Sequence, residues 1–120
     1  MEKLVNQVLG DLAASKAFHW NASTLAQHEA TLKFYSEAEE VLDSLVETYQ
    51  GRYGKKLVNY NVMVAVNQDM NVLKYFNASK TAIEDMRFTE IDETESVLQN
   101  IVDELIANYD LLIYKLQFLS

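Results

Sequence analysis

The chain has 120 residues, a formal net charge of −8, and neither cysteine nor proline. That charge turns it away from phosphate backbones and anionic lipid, because no basic cluster exceeds Lys55-Lys56. Cations or a basic protein suit such a surface better, and without thiols there is no disulfide framework, thiolate zinc site or cysteine nucleophile.

Hydrophobic residues make up 49 % of the chain, enough for one packed, mostly helical domain over residues 1–120. The longest apolar runs, Val62 to Val66 and Leu111 to Tyr114, fall far short of the roughly 20 residues that a membrane span needs. The opening stretch "MEKLVNQVLGDLAASKAF" has polar residues threaded through it and does not read as a signal-peptide core. The tripeptides Asn21-Ala22-Ser23 and Asn77-Ala78-Ser79 then match the glycosylation pattern only by chance. These readings predict a cytoplasmic setting.

The first predicted helix covers about residues 2–20, with Leu4, Val5, Val8, Leu9, Leu12 and His19 at helical spacing. Gly10 weakens its middle by about 1 kcal/mol relative to Ala, so packing must hold it. After a short turn at Asn21 to Ser23, Thr24 and Gln27 resemble a capping box that opens a second helix over 24–50, with Gly51 as its stop. Its expected inner stripe is Leu25, His28, Leu32, Tyr35, Glu39, Leu42, Val46 and Tyr49, widened by Phe34, Ala38, Val41 and Leu45. Helices joined by so few residues are antiparallel neighbours.

Residues 52–68, "RYGKKLVNYNVMVAVNQ", are β-branched, punctuated by Asn and without a 3.6 period. They read as extended, with a short strand or a helical stretch around Val62 to Val66 as the alternatives. About a dozen extended residues span the length of a helix of about 27. A third helix over 70–87, capped by Asp69 or Asn71, turns Val72, Leu73, Phe76, Ile83 and Met86 inward. The fourth, over 92–119, pairs Asp92 with Glu95 at its start. It carries an unbroken stripe of Leu98, Val102, Leu105, Tyr109, Leu112, Leu116 and Leu119, broadened by Ile101, Ile106 and Ile113. A stripe that wide predicts a helix deep in the bundle or one that also meets another subunit. Helix, tight turn, helix, long link, helix, short link, helix is the order of a ferritin-like all-α four-helix bundle, with a long, partly extended crossover between helices 2 and 3.

Both histidines and a run of carboxylates fall in the first two helices. His19 and His28 flank the turn and can be spatial neighbours, and Asp43 and Glu47 are one helical turn apart on one face. Imidazole with carboxylate suits iron, zinc or manganese better than calcium. His28 and Asp43 are fifteen residues apart, which is about 22 Å along a helix, so no ion is shared by both within one chain. A joint site of His19, His28, Asp43 and Glu47 therefore requires two subunits packed antiparallel about a two-fold axis. Glu37, Glu39 and Glu40 read as a solvated face, Trp20 as core, and Asp103 and Glu104 as surface or interface charge. No Gly-rich phosphate loop, nucleophile elbow or Ser-His-Asp pattern is present.

The stretch "FHWN…QHEATLKFYSEAEEVLDSLVE" resembles the helical hairpin of the Dps proteins, the mini-ferritins of bacteria. Together with "LQNIVDELIANYDLLIYKLQFL", it is most similar to small Dps-like proteins encoded by tailed phages. The resemblance implies an inter-subunit ferroxidase-type centre, with His19 and His28 from one chain, Asp43 and Glu47 from the next, and the indole of Trp20 alongside. It implies iron, or zinc, as the bound metal, a homo-oligomer of at least a two-fold dimer, and a location in the host cytoplasm or the virion. Leu32 stands where the Dps hairpin carries a further aspartate, the turn between the histidines is shorter by about a helical turn, and no basic tail is present. Two functions follow as expectations: a metal-binding protein with weak ferroxidase or iron-sequestering activity, or a non-catalytic ferritin-like assembly or binding protein of a phage.

Overall fold

A computed structural model describes all 120 residues and resolves them into four helices: α1 (Glu2–Trp20), α2 (Leu25–Tyr53), α3 (Val72–Glu90) and α4 (Ser96–Phe118). Each begins and ends for a local reason. The Thr24 hydroxyl accepts the Gln27 N–H at 3.1 Å to open α2, and the Asn71 side chain accepts the Lys74 N–H at 2.9 Å to open α3. α2 runs through Gly51, the expected stop, and ends one turn later. Gly54 there takes the left-handed conformation (φ 62°), and its N–H reaches the Gln50 carbonyl at 2.9 Å. α4 starts at Ser96 rather than Asp92. The Asp92 carboxylate is used one step earlier, accepting from the Thr94 N–H at 2.8 Å and from the Thr94 hydroxyl at 2.7 Å.

The helices stand in a square, with α1 and α4 each packed against α2 and α3. Ser15 bonds across to Thr31, Asp11 to Ser79, Arg87 to Gln99 and Arg52 to Glu95, so every neighbouring pair runs antiparallel. Aromatic rings from all four helices meet at the centre: Phe18, Phe34, Phe76 and Tyr109, with ring centroids 4.8 to 5.9 Å apart in tilted or edge-on pairs. The expected α4 stripe is buried from Leu98 to Leu116, whereas Leu119 is exposed. On α2 the buried face is Ala30, Thr31, Phe34, Ala38, Leu42 and Leu45. Of the expected inner stripe Leu42 is buried and Tyr35, Val46 and Tyr49 are half-buried, but Leu25, His28, Leu32 and Glu39 are exposed; the expected widening residues Phe34, Ala38 and Leu45 are buried.

Residues 55–71 contain no helix or strand. Their contacts trace a path beside α1. The Leu57 N–H is held by Gln50, the Asn61 N–H bonds Asn6 Oδ1 at 3.1 Å, and Met63 and Val64 sit on Gly10. Asn67 and Asn71 then line a cavity of about 510 Å³ with Phe18 and Asn21. A side chain at position 10 would place its Cβ 3.3 Å from the Met63 carbonyl oxygen, so the mid-helix glycine is there for close approach.

One carboxylate is fully buried. Asp11 accepts from Tyr109 (2.6 Å), Ser79 (2.9 Å), Tyr75 (3.3 Å) and Gln7 (3.2 Å) and thereby ties α1 to α3 and α4. Burial raises its pKa, and the four donors only partly offset that. The same burial, with the neighbouring carboxylate, pushes the Tyr75 hydroxyl up to about 12 and Tyr109 well above its usual value.

Two outcomes are expected. Gly10→Val drives a methyl into the Met63 backbone and should cost about 1–3 kcal/mol in urea unfolding. For Asp11, a raised folded-state pKa means that the native protein holds this proton longer than the unfolded chain. Its contribution is greatest at low pH and declines as pH rises from about 4 through the folded pKa. Subtracting the pH–stability profile of Asp11→Asn from that of the wild type should leave this falling component.

Candidate metal centre

The α1–α2 hairpin brings its two histidines together. Their rings stack with centroids 3.7 Å apart at 24°. His19 Nδ1 lies 2.6 Å from the His28 carbonyl oxygen, and His28 Nδ1 lies 3.0 Å from the His19 carbonyl oxygen. A carbonyl only accepts, so each Nδ1 must carry its proton and donate. In the neutral ring this fixes the tautomer and leaves the Nε2 lone pair for a ligand; neither Nε2 has a hydrogen-bond partner within the chain. An ion-binding histidine is commonly prepared in this way, its second nitrogen anchored to a backbone oxygen.

Helix geometry explains the match. Ser15 Oγ donates to the Thr31 carbonyl at 3.0 Å, and the Thr31 hydroxyl donates to the Gln27 and His28 carbonyls at 2.8 and 3.1 Å. One turn nearer the hairpin bend, the same register places His19 level with His28. Burial differs sharply: His19 is buried and His28 is exposed. Tyr35 sets its ring edge-on to His19 at 5.7 Å, with the Lys16 ammonium 5.4 Å from the Tyr35 ring centre. Trp20, read as core from the sequence, is 74 % exposed, and Leu25 and Leu32 are exposed with it.

Asp43 and Glu47 lie further along the same helix, both exposed and neither in an ion pair. No three His, Asp or Glu side chains of one chain come together in a way that holds an ion. Asp103 is engaged by Arg87 at 2.7 Å, while Glu37 pairs loosely with Lys33 at 3.8 Å on the surface. The chain alone thus presents two prepared imidazoles at one end of α2 and two free carboxylates toward the other.

Sequence reasoning missed Asp11. Its signal was present: Val8, Asp11, Leu12 and Ser15 share the buried side of α1, and an acid on that side demands donors. The donors, Tyr75, Ser79 and Tyr109, come from helices 64 to 98 residues away, and their convergence appears only in three dimensions.

Fold and site together define an all-α protein, a four-helix bundle with a paired-histidine hairpin at one end. Residues 19–116 match the family described as "Family of unknown function (DUF5856)", and the chain belongs to that family. No curated protein and no solved structure matches it.

The tautomer assignment has a direct check. Long-range proton–nitrogen NMR at neutral pH should show both rings protonated at Nδ1, and a ring protonated only at Nε2 would contradict the geometry. Removing one ring by His28→Ala should cost about 1–2 kcal/mol, because it deletes one bond and exposes the other to water.

Proposed function

We propose that this is a ferritin-like, Dps-like metal-binding protein whose iron or zinc site forms between two copies of the chain. The observation that carries the reading is the reciprocal anchoring of His19 and His28 through Nδ1, which prepares both Nε2 atoms as ligands. Asp43 and Glu47, one turn apart and about 22 Å along α2, supply the carboxylates from the second copy when two α2 helices lie antiparallel. Residues 54–71 act as the long crossover of a ferritin-like bundle. The diagonal placement of α2 and α3 supports this, as do the contacts of Leu57, Asn61 and Met63 with α2 and α1.

The donor set fits a borderline divalent ion: two neutral imidazoles and two hard carboxylates suit Fe(II) or Zn(II), and the carboxylates also favour Fe(III). An iron ion held there supplies one-electron chemistry with an oxidant. What the chain's own residues contribute is ligand orientation, through the two backbone carbonyls, and a partly shielded position for His19.

A second reading is favoured by Leu32. Where a further carboxylate would complete a ferroxidase-type set, this chain has an exposed leucine, beside exposed Leu25 and Trp20. On that account the bundle is a non-catalytic assembly or binding protein, encoded by a phage as the resemblance implies.

Elemental analysis of protein purified without chelator, with its mass determined by light scattering, separates the two. The metal reading expects about one iron or zinc per chain in a dimer or larger assembly. It further expects Asp43→Ala and Glu47→Ala to lower occupancy while shifting stability by less than about 0.5 kcal/mol, since both side chains are exposed. A metal-free wild type that is unresponsive to added Fe(II) would leave the scaffold reading in place.

A further inference from the structure

We propose that the cavity between α1, α3 and residues 55–71 binds a primary organic ammonium, with the ammonium on the Asp11 carboxylate and the apolar body of the ligand against Met63 and Met86. The cavity has a volume of about 410 Å³, and Gln7, Asp11 and Tyr75 are among the residues that line it. That volume is in the range of small-molecule sites, where a few placed polar groups fix the ligand's orientation.

The bonds to Asp11 divide into two kinds. The short ones come from the core: Tyr109 donates to Oδ2 at 2.6 Å and Ser79 to Oδ1 at 2.9 Å, and neither residue lines the cavity. The long ones come from residues that do. The Tyr75 hydroxyl stands 3.3 Å from Oδ1, and Gln7 Nε2 straddles both oxygens at 3.2 and 3.3 Å. A nitrogen placed evenly between two carboxylate oxygens is where a cation would bind, yet the Gln7 amide brings no charge. An ammonium in that place makes charge-assisted bonds of about 2.7–2.9 Å. It also supplies the positive charge that this buried carboxyl lacks, and lack of that charge leaves burial free to raise the Asp11 pKa. Asp11 has no exposed surface, so the ligand takes the place of Gln7, whose half-buried, unbranched side chain swings aside.

The shape of the site sets the rest of the ligand. Asp11 is level with Ser79 of the antiparallel α3, so Met86, seven residues further on, is level with Leu4. Asn61 stands at Asn6 and Met63 at Gly10. The lining therefore runs back along α1 from Asp11 to Lys3, a rise of about 12 Å. Along that length the thioether side chains of Met63 and Met86 form pliant apolar walls that suit an alkyl chain. A hard inorganic cation takes about six or more oxygen ligands, which walls of this kind do not provide. Lys3 is exposed and in no ion pair, and it puts positive charge at the far end. A ligand with one ammonium is thus preferred over a diamine.

The test titrates n-hexylamine into the full chain in excess chelator, by calorimetry and by NMR of the methionine methyl groups. The amine should bind with a Kd below about 1 mM, and n-hexanol and the corresponding diamine at least about tenfold more weakly. Of the four methionines, Met63 and Met86 should shift, whereas Met1 and Met70, which do not line this cavity, should stay in place. Asp11→Asn should weaken binding at least about tenfold, and Gln7→Ala, which vacates the ammonium's place, should tighten it. If Asp11→Asn does not fold, the alcohol comparison and the methionine shifts decide on the wild type alone. No binding of the amine, equal binding of the alcohol, shifts as large at Met1 or Met70, or weaker binding by Gln7→Ala would each overturn the proposal. None of these outcomes bears on the metal reading, because the chelator removes the ion throughout.

Discussion

The bundle is organised around a buried carboxyl group. Asp11 sits in the core with no cation beside it, so its charge or its proton must be accommodated by the hydroxyls of Tyr109, Ser79 and Tyr75 and the amide of Gln7. A carboxylate in that position is costly unless its lone pairs are filled. The requirement is geometrically strict, because the donors come from three helices whose rotations and heights must all agree. An apolar core tolerates small slips between helices, whereas a four-donor carboxylate does not. The register along α1 that aligns Ser15 with Thr31 and His19 with His28 begins from this fixed point.

A second staple works at the α3–α4 end of the bundle. The buried Gln99 side chain reaches the carbonyls of Arg87, Ile91 and Asp92 and accepts from the Arg87 guanidinium, closing the α3–α4 link. That end of the molecule is thus held by polar bonds and the centre by aromatic packing. The α1–α2 bend is held by two imidazoles, and the site proposed for metal is at the same time part of the hairpin's mechanical closure.

Much of this was legible in the sequence. Periodicity placed α1 from end to end, Thr24 announced the start of α2, and of the two candidate caps for α3, Asp69 and Asn71, it is Asn71 that serves, because capping is local chemistry. The misreadings have physical causes. α2 outran Gly51 because a single exposed glycine weakens a helix by only about 1 kcal/mol relative to Ala, and Gly54 supplied the left-handed end. Of its inner face, Phe34, Ala38, Leu42 and Leu45 were read from the spacing and are buried, whereas Ala30 and Thr31 were not read and Leu25, His28, Leu32 and Glu39 are exposed. The neighbourhood of His19 and His28 followed from the short turn, whereas their mutual use of Nδ1 did not, since it depends on side-chain rotation. Asp11 was readable as an anomaly on an apolar side, yet its donors were not, since they are distant in the chain.

The doubly anchored histidines carry a consequence for how sequences of this family are to be interpreted. Each ring closes the hairpin through Nδ1, and in the proposed site each would also give its Nε2 to the ion. Retaining histidine at positions 19 and 28 is therefore ambiguous, because selection for the bend alone is enough to keep it. Asparagine would separate the duties, since its amide offers an N–H for the opposing carbonyl but no imidazole nitrogen for an ion. Relatives with asparagine at both places would keep the architecture without the proposed metal site.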